Sequence, residues 1–148
     1  MGGVALQSGA LVTGPSVIVG ELGQESRRFS EGDFTLLGAF LAAGGPTAPE
    51  SEARSLLAKF GLGAAHVLRM AASLSPGERT RAELALLVAR GTNCLVLDEL
   101  TNHLDVPAIE QLEGVLDAWE GTLLLVTHDR RLLETVRITE RVELDGSR

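Results

Sequence analysis

The fold is decided by residues 74–105, which read LSPGERTRAELALLVARGTNCLVLDELTNHLD, and by residues 122–129, which read TLLLVTHD. A polar turn opens a helix, a short apolar run ends in two acids, and a second apolar run ends in a histidine. Short continuous apolar runs are typical of buried parallel strands, and the segments between them suit crossover helices. We therefore predict an α/β fold with a mainly parallel sheet.

Local signals mark the elements of this stretch. Ser75 occupies an N-cap position, Pro76 the first helical position and Glu78 the third, which is a capping box and predicts a helix to about Arg90, ended by Gly91. The elements expected after it are a strand Cys94–Leu97, a helix Pro107–Trp119, a strand Thr122–Val126, a short helix from Asp129 and a last strand Ile138–Leu144.

The residues before Leu74 are predicted to be mostly helical. Two short strands are expected first, around Ala10–Val12 and Ser16–Glu21. The helices expected next are Phe34–Ala43, Pro49–Phe60 and Ala64–Met70. Residues 34–90 should therefore form a helical lobe beside the sheet.

Length, charge and cysteine content bound the function. The 148 residues suffice for one domain with its own core. A net charge of -7 without a basic cluster disfavours direct binding to nucleic acid. A single cysteine, Cys94, excludes an internal disulfide and favours a reducing cytoplasm, and no apolar stretch is long enough for membrane insertion.

Acids and a histidine follow two of the predicted strands. Ligands of open parallel sheets bind beyond the carboxyl ends of the strands, where Asp98, Glu99 and His128 are expected. One acid could hold Mg²⁺ and the next could deprotonate water, while the imidazole could contact a phosphate. Taken alone, each of these residues fits an ordinary turn equally well.

Two further features could meet a phosphate. Residues 75–78 open a helix, whose free N–H groups suit an anion, and Gly77 would let a ligand approach the backbone closely. Gln24 follows a strand, and its amide could coordinate Mg²⁺. The first is also a sufficient helix cap and the second a common surface residue, so only their order and spacing with the strand-end acids indicate one site.

These residues resemble the motifs of the nucleotide-binding domain of ATP-binding cassette (ABC) proteins. LSPGE at 74–78 resembles the signature motif LSGGE, and CLVLDE at 94–99 resembles the Walker B strand. By this resemblance Asp98 is the magnesium acid, Glu99 the catalytic base, Gln24 the Q-loop glutamine and His128 the switch histidine. LTNHLD at 100–105 occupies the D-loop, in the form typical of the ABC-F subfamily.

The resemblance implies a partial P-loop NTPase fold with a helical subdomain, ATP and Mg²⁺ as cofactors, and ATP hydrolysis. Ser75, Gly77, Glu78 and Asp105 would be ATP-binding residues, together with Gln24, which would also reach the magnesium ion. The expected partner is a second ABC cassette, head to tail on the same or another chain. For an ABC-F protein the expected setting is the ribosome, in translation or antibiotic resistance.

The sequence departs from the family pattern at three places. Leu100 stands where proline usually follows the catalytic glutamate, and Pro76 replaces the first glycine of the signature. The phosphate loop (Walker A), GxxxxGK followed by Ser or Thr, is absent from residues 1–148, where the only lysine is Lys59. We therefore expect a partial cassette with exposed apolar surface, self-association, and little ATPase activity alone.

Two other functions stay open at this point. The chain could be a non-catalytic binding module that offers only its signature face to a partner cassette. It could also be the ATPase subunit of a membrane transporter, against which the Asn-His-Leu-Asp turn argues.

Overall fold

The computed structural model describes residue 10 and residues 12–22, 29–30, 32–45, 49–100, 104 and 106–142. In chain order its elements are β1 (Val19–Leu22), α1 (Leu36–Ala42), α2 (Glu50–Lys59), α3 (Ala64–Val67), a 3₁₀ turn (Ala71–Ser73), α4 (Pro76–Ala89), β2 (Cys94–Asp98), α5 (Val106–Asp117), β3 (Thr122–Val126) and α6 (Arg130–Thr135).

The strands form one parallel sheet in the order β1-β2-β3. Val19 pairs with Cys94, which pairs with Thr122, and the register continues to Asp98 opposite Val126. Parallel pairing brings the carboxyl ends of neighbouring strands to the same edge, so the residues after β2 and β3 become neighbours. The predicted α/β fold with a parallel sheet is confirmed.

Helix boundaries follow the local capping signals. At the start of α4 the Ser75 hydroxyl accepts from the Glu78 N–H, and the Glu78 carboxylate accepts from the Ser75 N–H. This is the predicted capping box. Gly61 and Gly91, with φ values of 72° and 77°, follow the ends of α2 and α4, where only a residue tolerant of left-handed backbone fits easily. The helix predicted at Ala64–Met70 is shorter in the structure. It ends at Val67, and a 3₁₀ turn follows at Ala71–Ser73.

The two faces of the sheet differ in burial. On one face Leu22, Leu95 and Leu97 are almost completely buried in the hydrophobic core. On the other face Leu124 and Val126 of β3 are 55% and 51% exposed. Parallel sheets are normally covered on both faces, so this face is an apolar surface of the kind the sequence predicted.

Both strands predicted at the ends of the chain are wrong in the part that the structure describes. Ala10 and Val12 belong to no strand, and the first strand is Val19–Leu22 rather than Ser16–Glu21, because a Gly14–Val17 turn precedes it. Residues 138–142 are irregular, and 143–144 lie outside the described residues. Strand formation needs a pairing partner, which a local apolar pattern does not provide.

The helices between residues 36 and 89 pack around one continuous core that includes Phe40, Leu57 and Leu62. Leu100 is also buried in this core, at 8% exposure. No helix in the described part of the chain is both long and apolar enough to cross a membrane.

Candidate functional site

The first part of the site is the end of β2. Asp98 is the last residue of the strand and is exposed, and Glu99 follows it with a φ of 50°. Among the described residues Glu99 is the one non-glycine with positive φ, a conformation that costs energy and is often found at functional sites. The Glu99 N–H donates to the Val126 carbonyl oxygen at 2.9 Å, which fixes this turn to β3.

The second part is the end of β3. His128 Nε2 lies 3.0 Å from Glu99 Oε1, and the exposed fractions of the two side chains are 92% and 21%. The prediction that neighbouring strands bring His128 to Glu99 is therefore confirmed in its geometry. The arrangement joins a partly shielded carboxylate to an imidazole that is open to solvent.

The turn that carries His128 is held by hydrogen bonds on both sides of it. The Thr127 hydroxyl accepts from the Asp129 N–H at 3.0 Å, and Asp129 caps α6. Arg131 in α6 binds Glu110 of α5 at 2.9 Å, and the hydrogen bond with Glu110 together with the charge of Glu113 raises the pKa of its guanidinium. No periodicity in the sequence links α5 to α6, so only the structure reveals this connection.

The turn before α4 satisfies itself. The Ser75 hydroxyl accepts from the Glu78 N–H at 3.2 Å, and the Ser75 N–H donates to Glu78 Oε2 at 2.7 Å. Glu78 Oε1 lies 2.8 Å from Arg69 Nη1 and 3.3 Å from His66 Nε2. Both carboxylate oxygens of Glu78 are thus engaged within the protein.

These contacts also set the charge of Glu78. Burial works to raise the pKa of the Glu78 carboxyl, but the hydrogen bond from the Ser75 N–H and the interactions with Arg69 and His66 outweigh it. The net result is a pKa below the ordinary value, so Glu78 stays ionised at neutral pH. The pairing of Arg69 with Glu78 had no signal in the sequence beyond opposite charge.

Gly77 is required for helix packing. The residue is buried, and a Cβ added to it would lie 2.4 Å from Ala108 Cβ in α5. No side chain fits at that separation, so the missing side chain lets α4 approach α5 closely. The sequence pattern predicted that a ligand approaches this glycine, whereas in the structure its close neighbour is α5.

Of the residues predicted to bind Mg²⁺, Asp98 lies in the described part of the chain. Gln24 and Asp105 lie outside the described residues. The described residues hold no group of three or more histidine, cysteine or acidic side chains that could bind a metal. The Asp98 carboxylate is exposed at the strand edge, and a single carboxylate suits Mg²⁺, which keeps several waters.

Comparisons with known proteins give one consistent class. No protein-family model matches the chain. The chain is 46% identical over 103 residues to "Putative ATP-binding protein YdiF" of Bacillus subtilis (strain 168). The matched residues are 69% of this chain and 16% of that protein. It is 48% identical over 68 residues to "ATP-binding protein Uup" of Escherichia coli (strain K12). The matched residues are 46% of this chain and 11% of Uup.

A third relative is human "ATP-binding cassette sub-family F member 3", 38% identical over 62% of this chain and 13% of that protein. The solved structure "Dimeric Structure of MJ0796, a Bacterial ABC Transporter Cassette" matches with a TM-score of 0.58 over 82% of this chain and 56% of that chain. At 19% identity this likeness shows the fold alone. The matches span a small part of the curated relatives.

Proposed function

Because this chain is an ATP-binding cassette protein by homology, with ABC-F members among its relatives, we propose that its strand-end site serves ATP hydrolysis. The observation that carries the proposal is the 3.0 Å contact between Glu99 and His128 at the carboxyl ends of two parallel strands. A carboxylate held there can orient and deprotonate a water for attack on a terminal phosphate.

Each residue at the strand ends would have its own role in the hydrolysis. Glu99 accepts the proton of the attacking water, and the His128 imidazole positions the Glu99 carboxylate and contacts the terminal phosphate. Asp98 would hold Mg²⁺, with Gln24 as a second ligand, and the ion would neutralise phosphate charge when bound. The left-handed backbone at Glu99 supports this role, because it is maintained against its energetic cost.

The turn before α4 serves a different nucleotide in this proposal. Ser75, Gly77, Glu78 and Asp105 would face an ATP held by a second cassette, head to tail with this chain. Support comes from the dimeric cassettes named among the solved structures.

A titration with Mg·ATP tests the activity of this chain. Without a phosphate loop in its 148 residues, we expect weak binding and little turnover. A fusion that places a phosphate-loop segment before residue 10 should hydrolyse ATP. Micromolar binding with robust turnover by the chain itself would refute the first expectation, and a folded fusion that binds ATP without turnover would refute the second.

A non-catalytic role is the second candidate, favoured by the fully formed turn at Ser75 in a chain without a phosphate loop. Ser75→Arg in the fusion should block closure over a partner's ATP and stop turnover. Turnover restored by adding the native chain would favour the binding module, because the native chain would supply the intact turn. The native chain carrying the same substitution is the control and should restore nothing.

The biological setting is a finer proposal. We infer a cytoplasmic ABC-F role on the ribosome, in translation or antibiotic resistance, rather than a subunit of a transporter, because relatives include a sub-family F member and the D-loop has the Asn-His-Leu-Asp form. Co-sedimentation with ribosomes of the fusion carrying Glu99→Gln, which should bind ATP without hydrolysing it, tests this role. Release of the fusion into the supernatant, under conditions where ATP remains bound, would argue against a ribosomal role.

A further inference from the structure

A second concave site lies away from the strand-end acids. A cavity of about 740 Å³ opens between α2, α4 and α5, and Gly121 at the amino end of β3 forms part of its wall. His128 follows the opposite end of β3. The volume is within the range of small-molecule sites, and the position is separate from the proposed ATP site.

The wall of the cavity contains a buried cation. Arg81 is only 7% exposed, and its guanidinium donates to the carbonyl oxygens of Gly77 at 3.3 Å and Phe60 at 3.1 Å. Both acceptors are neutral, and none of the ion pairs found among the described residues involves Arg81. Glu78 acts on Arg81 through its charge without forming an ion pair with it. Within the described residues no carboxylate oxygen is hydrogen-bonded to the buried guanidinium, so a bound anion could bind it directly.

A second cation stands at the rim. Lys59, the last residue of α2, is exposed and lines the same cavity. Its ammonium forms no ion pair within the described part of the chain. Glu120 is the one acid of the lining, and it is exposed. Among the residues that line the cavity, two cations, Arg81 and Lys59, therefore stand against one acid.

The rest of the lining is largely apolar. Trp119 is half-buried, and its indole N–H donates to the Thr122 carbonyl oxygen at 3.2 Å, so the ring itself is left for apolar contact. Val88 and Val115 add aliphatic surface. Gly114 also lines the cavity, and a Cβ added there would meet no atom within 4 Å, so free space adjoins α5 at this residue.

We propose that this cavity binds a small amphipathic monoanion, with its carboxylate between Arg81 and Lys59 and its apolar body against Trp119 and the two valines. The site is independent of ATP and of the proposed hydrolysis. The combination of an apolar lining and a few convergent polar groups is what small-molecule sites generally share.

Trp119 makes the proposal directly measurable, because it is the only tryptophan of the chain. Octanoate is the probe, followed by the fluorescence of Trp119, with octanamide as the neutral analogue and acetate as the anion without an apolar body. We expect a saturable change with octanoate, a dissociation constant below about 1 mM, and binding at least about tenfold tighter than octanamide or acetate.

Two variants locate the binding. Gly114→Leu fills the cavity and should weaken octanoate binding about tenfold or more, while thermal stability stays equal or rises because leucine favours a helix more than glycine does. Lys59→Gln should weaken binding about fivefold. Arg54→Gln, on the same helix but paired with Glu50, is the matched control and should leave binding unchanged.

Equal affinity for octanoate and octanamide would overturn the proposal, since the cations would then have no role. Unchanged octanoate binding by a folded Gly114→Leu variant would also overturn it, because the probe would then lie elsewhere, for example on the open face of the sheet. The proposal would likewise be overturned if the Trp119 fluorescence of the native chain showed no saturable change up to about 10 mM octanoate.

Discussion

The turn before α4 and the ends of β2 and β3 are both polar, but the protein uses their polar groups differently. In the turn, Ser75 and Glu78 bind each other, and Glu78 also binds Arg69 and His66. At the strand ends, 92% of the His128 side chain is open to solvent. The polar groups of the turn bind one another, whereas the His128 side chain at the strand ends is exposed to solvent as well as in contact with Glu99.

The difference separates two uses of polar residues. A cluster that satisfies its own hydrogen bonds stabilises the fold, and its loss should appear as a loss of stability. A group held open in a strained turn contributes little to stability, and its loss should appear in activity. Substitutions that remove the hydrogen bonds of the turn should therefore lower stability, and substitutions that remove Glu99 or His128 should lower activity with little loss of stability.

The largest effect is expected for Glu99→Gln in the fusion that carries a phosphate loop. Turnover should fall roughly 100-fold or more, because a general base contributes about that factor, while ATP stays bound. The unfolding free energy should change by less than about 0.5 kcal/mol. Single-turnover ATP hydrolysis and urea denaturation measure the two quantities, and Glu120→Gln, at an exposed acid, is the control. Normal turnover of Glu99→Gln would remove Glu99 as the base.

The next effect concerns the close approach of α4 and α5. Gly77→Ala should lower the unfolding free energy by about 1–3 kcal/mol, the cost of overpacking, because the new Cβ would collide with Ala108. Gly114→Ala is the matched control in α5, where a Cβ has free space, and it should stabilise by up to about 1 kcal/mol. Equal effects of the two substitutions in urea denaturation would show that packing at Gly77 is not the reason.

A smaller effect is expected for the cap itself. Ser75→Ala removes the acceptor of the Glu78 N–H and should cost about 1 kcal/mol of stability, the usual value for an N-cap. Ser51→Ala, in the first turn of α2, should be nearly neutral because the Ser51 hydroxyl caps nothing. A loss of stability for Ser75→Ala no larger than for Ser51→Ala would mean that the turn is not a stability element.

The smallest effect is a pH dependence from Glu78. Its pKa is lower in the folded protein than in the unfolded chain, so its contribution is present above the unfolded pKa and is lost as pH falls through the folded pKa. The difference in unfolding free energy between the native chain and Glu78→Gln should therefore shrink as the pH falls below the ordinary range for glutamate. A difference that stays constant on acidification would exclude the ionised form as the stabilising one.

Elements with strong local signals were predicted well. The capping box at Ser75 and Glu78 fixed the start of α4, and the strand Thr122–Val126 was predicted with its observed bounds. Both signals act over a few residues, through hydrogen bonds or burial that the local sequence encodes. In the part of the chain that the structure describes, the strands predicted near Ala10 and from Ile138 did not form, because an apolar run becomes a strand only where a partner strand lies beside it.

The candidate site was predicted in composition and in part of its geometry. The residue types at Asp98, Glu99 and His128 suggested the chemistry, and parallel pairing predicted that Glu99 and His128 would meet. The left-handed backbone of Glu99 and the contacts of Glu78 with Arg69 and His66 were not predicted. They depend on where the Val126 carbonyl and the side chains of α3 and its flanking turn come to lie.

The sequence by itself determined where helices begin, which apolar runs become central strands, and which acids and histidine follow them, because these depend on neighbours along the chain. Only the tertiary structure decided that Gly77 serves packing against α5, that one sheet face stays open, and that Arg81 and Lys59 share a cavity with Trp119. Those relations join residues far apart in sequence, and they arise when helices and strands pack together.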